Sequence, residues 1–489
     1  MPSRYTWNAR CGARHLSYVT VVGCAAVWVL LAGCNSDRLM VPDYNSPTPG
    51  AVSADPGALQ FAANGILIDA RGNIGGWISG VGRLGRESYD YMQTEGRSTT
   101  CWLSKPAQDP ACGAGSSLWG GYYDALRDIF NFKNTVQAST VLSDAQKKAA
   151  LGFAETFEAY ALEFVIEGRG HYGAPVQVME DPAQLAPFVS RDSVYSYIIG
   201  TLNQAKVDLQ AGGASFPFTV TSGFDGFDTP ATFLRFNRAL AARIDAERAS
   251  LGVSGCGAAL SPTCYQAALK DLSESFIDPA NLALGPAFVF STAPGDNQNP
   301  LSNASNNVFV AHPSIQADAE QQANGSPDQR YTDKVYTMDA PLGPGGAVPG
   351  IFTDQDFIRF ENPTDPIPVI RSEELVLLRS EAKWFTGDKV GAIADLNAVR
   401  TVSGKLPPST LTASSTNDDY LTALLYERRY SLLIEGRRWV DVRRFGMLNT
   451  LPVDVPASQM LYDDLVIPEA ECLSRKGAPA DVQAPTCGG

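Results

Sequence analysis

Histidine is close to missing: the chain has three in 489 residues, with only His171 and His312 beyond the amino-terminal leader. No H-E-x-x-H stretch occurs and no two cysteines stand at C-x-x-C spacing, so a zinc site has little to be built from. A G-x-S-x-G nucleophile elbow is missing too, as is a phosphate-binding loop of the G-x-x-x-x-G-K-[ST] type. No EF-hand loop marks a calcium site. Positive charge is scarce: 38 Lys and Arg against 52 Asp and Glu give a formal charge of −14. A surface that acidic repels a phosphate backbone and argues against nucleic acid as a partner. These absences predict no cofactor and no catalytic set, and favour a protein that binds over one that converts.

The little positive charge gathers in two places. The first is the amino terminus, where Arg4, Arg10 and Arg14 precede an apolar run from Leu16 to Gly33. This reads as a secretory signal peptide over 1–33. It closes on Leu31-Ala32-Gly33-Cys34, which resembles the bacterial lipobox, whose cysteine becomes the lipidated first residue. A membrane-spanning anchor is the alternative, the run being nearly long enough to cross. Processing at Cys34 removes three arginines and no acid, taking the formal charge from −14 to −17. Residues 34–57, rich in Pro, Ser and Asn, read as a flexible tether. Six cysteines remain, as Cys101 and Cys112, Cys256 and Cys264, Cys472 and Cys487. Each has a near neighbour in sequence, which predicts three local disulfides formed in an oxidising compartment.

Beyond the tether, helical periodicity dominates and predicts a mainly α fold over 58–489, a single domain. Ser143-Asp-Ala-Gln146 opens a helix as a capping box, and Phe153, Phe157, Tyr160 and Phe164 recur within it at core spacing. Thr229-Pro230 starts another helix that runs to Leu251. The stretches ARIDAERASLG…YQAALKDLSES and LLRSEAKWFTGD…GAIADLNAVR share a helix ending near glycine and a partner built on Ala-x-x-x-Leu. They resemble tetratricopeptide-like helical hairpins. A Pro-, Gly- and Asn-rich insert at about 278–368 predicts long ordered loops with a few short strands, the kind of segment that carries function on a rigid scaffold.

The second concentration of positive charge is RRYSLLIEGRRWVDVRRFG, residues 428–446, with six arginines. On a helix starting at Asp418, Leu421, Leu425, Arg428, Leu432 and Glu435 share one apolar face. A charge left unpaired there would cost several kcal/mol. The spacing therefore predicts a structural ion-pair network of Arg428, Glu435, Arg438, Asp441 and Arg444 in preference to a basic binding patch. On the same helix Glu427 and Glu435 would lie roughly 12 Å apart, too far for a glycosidase pair of the retaining kind and better suited to structure.

The stretch 426–446 resembles the carboxyl-terminal hallmark of the SusD/RagB family, through Glu427, Arg428, Leu432, Glu435, Gly436, Arg438, Trp439, Asp441, Arg444 and Gly446. Ser431 stands where the family usually has glutamate, which removes one acid from the expected network, and Phe445 where it often has tryptophan. Residues 369–400 are similar to the penultimate motif, through Arg371, Glu374, Leu377, Glu381, Ala382, Asn397 and Arg400. LVIPEAE, Trp119 and Tyr123 fit further family positions. The resemblance implies an outer-membrane, cell-surface lipoprotein, held by a lipid on Cys34. It would bind a nutrient, foremost an oligosaccharide, and act as lid over a SusC-like TonB-dependent transporter. A lipid-anchored glycan hydrolase and a helical-repeat interaction scaffold are the alternatives. Sugar rings need flat aromatic faces. The family's early aromatic region corresponds loosely to Trp77, Tyr91 and Trp102, with the Trp102 ring held exposed on a disulfide-clamped loop. Packing of these rings beneath loops is the competing expectation.

Overall fold

A computed structural model describes residues 56–91, 96–113, 118–303, 309–342 and 351–485. The signal peptide, Cys34, most of the tether and Cys487 lie outside them. The body is helical: α1 (Pro56–Leu84), α2 (Arg97–Leu103), α3 (Gly120–Ala138), α4 (Asp144–Arg169), α5 (Arg191–Gln210), α6 (Pro230–Leu251), α7 (Pro262–Glu274), α8 (Ser372–Phe385), α9 (Lys389–Val402), α10 (Asn417–Ser431) and α11 (Arg438–Arg444). Sequential pairs α4–α5, α6–α7 and α8–α9 pack against each other as helical hairpins. The last two are the pair read from the Ala-x-x-x-Leu repeat. None of the described helices is long and apolar enough to cross a membrane.

Local chemistry sets the helix ends. Ser143 and Gln146 close a reciprocal capping box on α4, and Thr229 and Thr232 do the same ahead of Pro230 on α6. Such a cap is worth about 1 kcal/mol. The four-ring stripe of α4 is core: Phe153, Phe157, Tyr160 and Phe164 are all buried. Phe153 meets Phe218 and Phe233, while Phe164 meets Trp77 and Tyr122.

The predicted loop-rich insert supplies most of the strands. β1 (Ser88–Asp90) pairs antiparallel with β3 (Phe309–Ala311), β2 (Ala287–Phe288) with β6 (Ile367–Pro368), and β4 (Val335–Leu342) with β5 (Thr353–Phe357). The Thr353 hydroxyl donates to the Ala311 carbonyl at 2.8 Å, and the Phe309 and Phe357 rings sit 5.6 Å apart, fastening the β4–β5 hairpin onto β3. Cys101–Cys112 and Cys256–Cys264 form two of the expected disulfides. Cys472 is also disulfide-bonded, and its expected partner Cys487 lies outside the described residues.

The arginine stretch departs from the single helix expected of it. α10 stops at Ser431, and the chain turns through Ile434 at φ 53° and Gly436 at φ 75° before α11 begins. Gly436 is required twice over. Its backbone is left-handed, and a Cβ there would lie 2.6 Å from Trp77.

Candidate functional site

The turn after α10 changes which charges meet. Arg428 Nε donates to Asp441 at 2.7 Å, across the turn from α10 to α11. Arg444 pairs with the same carboxylate at 3.1 Å and with Glu381 of α8 at 2.7 Å. Burial alone would raise the Asp441 pKa, but Arg428 and Arg444 outweigh it and hold it below the usual carboxylate range. Glu435 does not share a face with Arg428. It pairs instead with Arg359 at 2.6 Å and Arg371 at 2.9 Å. Glu427 belongs to a separate cluster with Arg330 at 2.6 Å and Arg400 at 2.8 Å. Arg438 is the exception to the predicted network. It makes no ion pair among the described residues and donates to the Leu425 carbonyl.

Two features escaped the sequence reading. Ser431 costs the network no acid, because Glu373 stands beside it: the Ser431 hydroxyl donates to Glu373 at 2.7 Å, and Glu373 also pairs with Arg371. Arg437 holds the largest cluster, reaching Glu167 at 2.6 Å, Glu247 at 2.5 Å and Glu163 at 3.5 Å. Ligand atoms of those three glutamates lie within 4.8 Å of one another, close enough to hold a metal ion. The guanidinium of Arg437 supplies the positive charge there. A clue lay in Glu163 and Glu167, one helical turn apart among apolar residues in the buried carboxyl-terminal half of α4.

Of the three aromatic residues expected at a ligand, none turns its ring to solvent. Trp77 is fully buried and donates to the Gly436 carbonyl at 3.1 Å. Tyr91 is buried with its hydroxyl toward the Ile351 carbonyl. Trp102 is only 5% exposed. The disulfide loop presses its ring onto α1 instead of presenting it, in a trough where a Cβ on Gly80 would come within 2.5 Å of the indole. Gly80-Val-Gly-Arg-Leu-Gly85 does spell G-x-G-x-x-G, but it lies at the end of α1, not between a strand and a helix, so it makes no phosphate cradle.

Exposed aromatic surface appears one layer further out, on the β4–β5 hairpin. Along β5 the odd residues face inward: Thr353, Gln355 and Phe357 are buried. By the two-residue period of a strand, Phe352, Asp354 and Asp356 share the other face, and Tyr336 of β4 stands opposite Asp356. Phe352 is 58% and Tyr336 41% exposed. Two exposed rings thus share that face with the part-exposed Asp354, while Asp356 between them is only 6% exposed. The Tyr336 hydroxyl donates to Asp356 at 3.1 Å, fixing that ring. Burial raises the Asp356 pKa, and hydrogen bonds from Phe357 N–H and Tyr336 offset part of the rise. Exposed rings beside a part-exposed carboxylate are the chemistry that the apolar faces and hydroxyls of a sugar call for.

A helical-hairpin scaffold with a short-stranded, loop-rich layer is the fold of SusD-like proteins. A SusD superfamily protein from Bacteroides vulgatus matches with a TM-score of 0.64 at 13% identity, covering 86% of this chain and 97% of its own. Surface glycan-binding protein A from Bacteroides thetaiotaomicron matches at 0.62 and 14%, covering 86% and 98%. A SusD-like carbohydrate-binding protein from Bacteroides fragilis matches at 0.60 and 14%, covering 82% and 88%. Residues 303–481 match the SusD family, a span that holds both arginine-rich motifs. That carboxyl-terminal region belongs to the SusD/RagB family, and the fold of the chain is the one SusD-like proteins share. No curated protein matches its sequence.

Proposed function

We propose that this protein is a lipoprotein anchored through Cys34 on the outer membrane, where it captures a nutrient glycan. It passes the glycan to a SusC-like TonB-dependent transporter over which it acts as lid, and it binds without hydrolysing. The observation that carries this reading is the outward face of the β4–β5 hairpin, with the exposed rings of Phe352 and Tyr336 beside the part-exposed Asp354. The leader ending in Leu-Ala-Gly-Cys supports the anchor, and the family match supports the transporter. The expected result is that the purified protein binds an oligosaccharide, leaves it intact, and weakens by at least roughly tenfold, to the point of loss in a calorimetric titration, on Phe352→Ala or Tyr336→Ala. Wild-type affinity in both variants would remove the hairpin from the reading. Membranes from the native host should yield a TonB-dependent receptor on copurification, and its absence would sink the lid role.

A further inference from the structure

A cleft of about 840 Å³ runs beside α3, in the size range of ligand sites. Phe130, Lys133 and Asn134 of α3, Glu158 of α4, Tyr197 of α5 and Gln177 of the segment after α4 face it. That segment is pinned against α3: the Tyr123 hydroxyl donates to the Pro175 carbonyl at 2.9 Å, and Arg127 donates to the Met179 carbonyl at 2.6 Å. The polar groups are held in place as well. Glu158 accepts from Lys133 at 2.7 Å through one oxygen and from Tyr197 at 2.6 Å through the other. Each oxygen keeps capacity for a second hydrogen bond.

We propose that this cleft is a second saccharide site, taking a neutral oligosaccharide; the inference rests on the reading that the protein binds glycan. Phe130 and Tyr197 are both part-exposed and offer ring faces, while Asn134 and Gln177 offer paired donors and acceptors suited to adjacent hydroxyls. Lys133 and Glu158 neutralise one another, and Glu180, the other carboxylate of the lining, is solvent-exposed, so the cleft disfavours an anion without requiring a charged ligand. A phosphate would meet Glu158, and a cation would meet Lys133. Fixing these groups before the ligand arrives lowers the ordering cost of binding.

The test is calorimetric titration of the detergent-solubilised full-length protein with α- and β-glucan, xylan and mannan hexasaccharides. Two equivalents of one hexasaccharide are expected per chain. Phe130→Ala, and separately Glu158→Gln, should each reduce this to one equivalent, while Phe352→Ala removes the other. Glu158→Gln keeps the side-chain volume, so a misfolded Phe130→Ala chain leaves the question decidable. Unchanged stoichiometry in the Glu158→Gln variant, or a single equivalent in wild type that Phe352→Ala abolishes, would overturn the second site and leave the first standing. A wild type that binds none of the sugars overturns both.

Discussion

At the scale of single residues the fold depends on where charge is buried. Arg428 and Asp441 are both nearly inaccessible, so removing Asp441 leaves Arg428 only the distant Glu374 at 3.7 Å, and removing Arg428 leaves Asp441 only Arg444. Arg428→Met or Asp441→Asn should cost about 3–5 kcal/mol, read as a shift in the urea midpoint without loss of slope. Glu87 makes the opposite case. Burial raises it to about 8 despite Arg438, Arg429 and Lys334, and both its oxygens are buried without a hydrogen-bond partner among the described residues. The folded chain therefore keeps a proton that the unfolded chain releases above about 4.3. The acid's folded pKa is raised, so stability falls as pH climbs from about 4.3 to about 8, by up to roughly 1.4 kcal/mol per unit. Glu87→Gln carries no such proton. The variant should gain on the wild type between pH 5 and pH 8 in urea titrations, and parallel curves would refute the assignment. That Arg428 and Arg444 had to pair was readable from sequence, because an arginine in an apolar stripe needs a carboxylate, but Arg438 was expected in the network where Arg437 stands. Which carboxylate was not readable. Glu163, Glu167 and Glu247 lie far from Arg437 in the chain, and a glutamate on a helix ordinarily reads as solvated.

At the scale of elements, the hairpins were legible because each carries a start signal, a repeat pattern and a glycine stop. The helix expected from Asp418 through Glu435 failed at a point where apolar spacing continued but the backbone did not. Leu432, Leu433 and Ile434 remain buried in the turn, so periodicity alone could not reveal the break. Gly436→Ala tests that turn. It combines a left-handed alanine with a collision against Trp77, and should cost roughly 2–5 kcal/mol by calorimetry. The strands of the insert were anticipated only as few and short. Their consequence for binding was missed because alternation in Phe352-Thr-Asp-Gln-Asp356 spans five residues, beside a segment rich in Gly and Pro. Loss of the Cys256–Cys264 bridge, which closes the loop between α6 and α7, should lower stability by about 2–3 kcal/mol in the paired Cys→Ala variant.

At the scale of the whole molecule, a mainly helical body supports a thin layer of strands, and the two differ in what they do. The helices bury most of the arginine lattice, whereas the β4–β5 hairpin holds the exposed rings of Phe352 and Tyr336. Variation at Phe352 or Tyr336 should therefore change ligand preference and leave the melting temperature within about a degree or two, since surface changes are usually worth under about 0.5 kcal/mol. The aromatic residues picked from sequence are buried. A tryptophan's type does not say whether its ring serves as foundation or as platform. Finally, Arg437 gives the three converging glutamates a covalently tethered counter-charge. Prolonged dialysis against EDTA should leave the unfolding curve unmoved, because at this crossing of helices the chain brings its own cation and needs none from the medium.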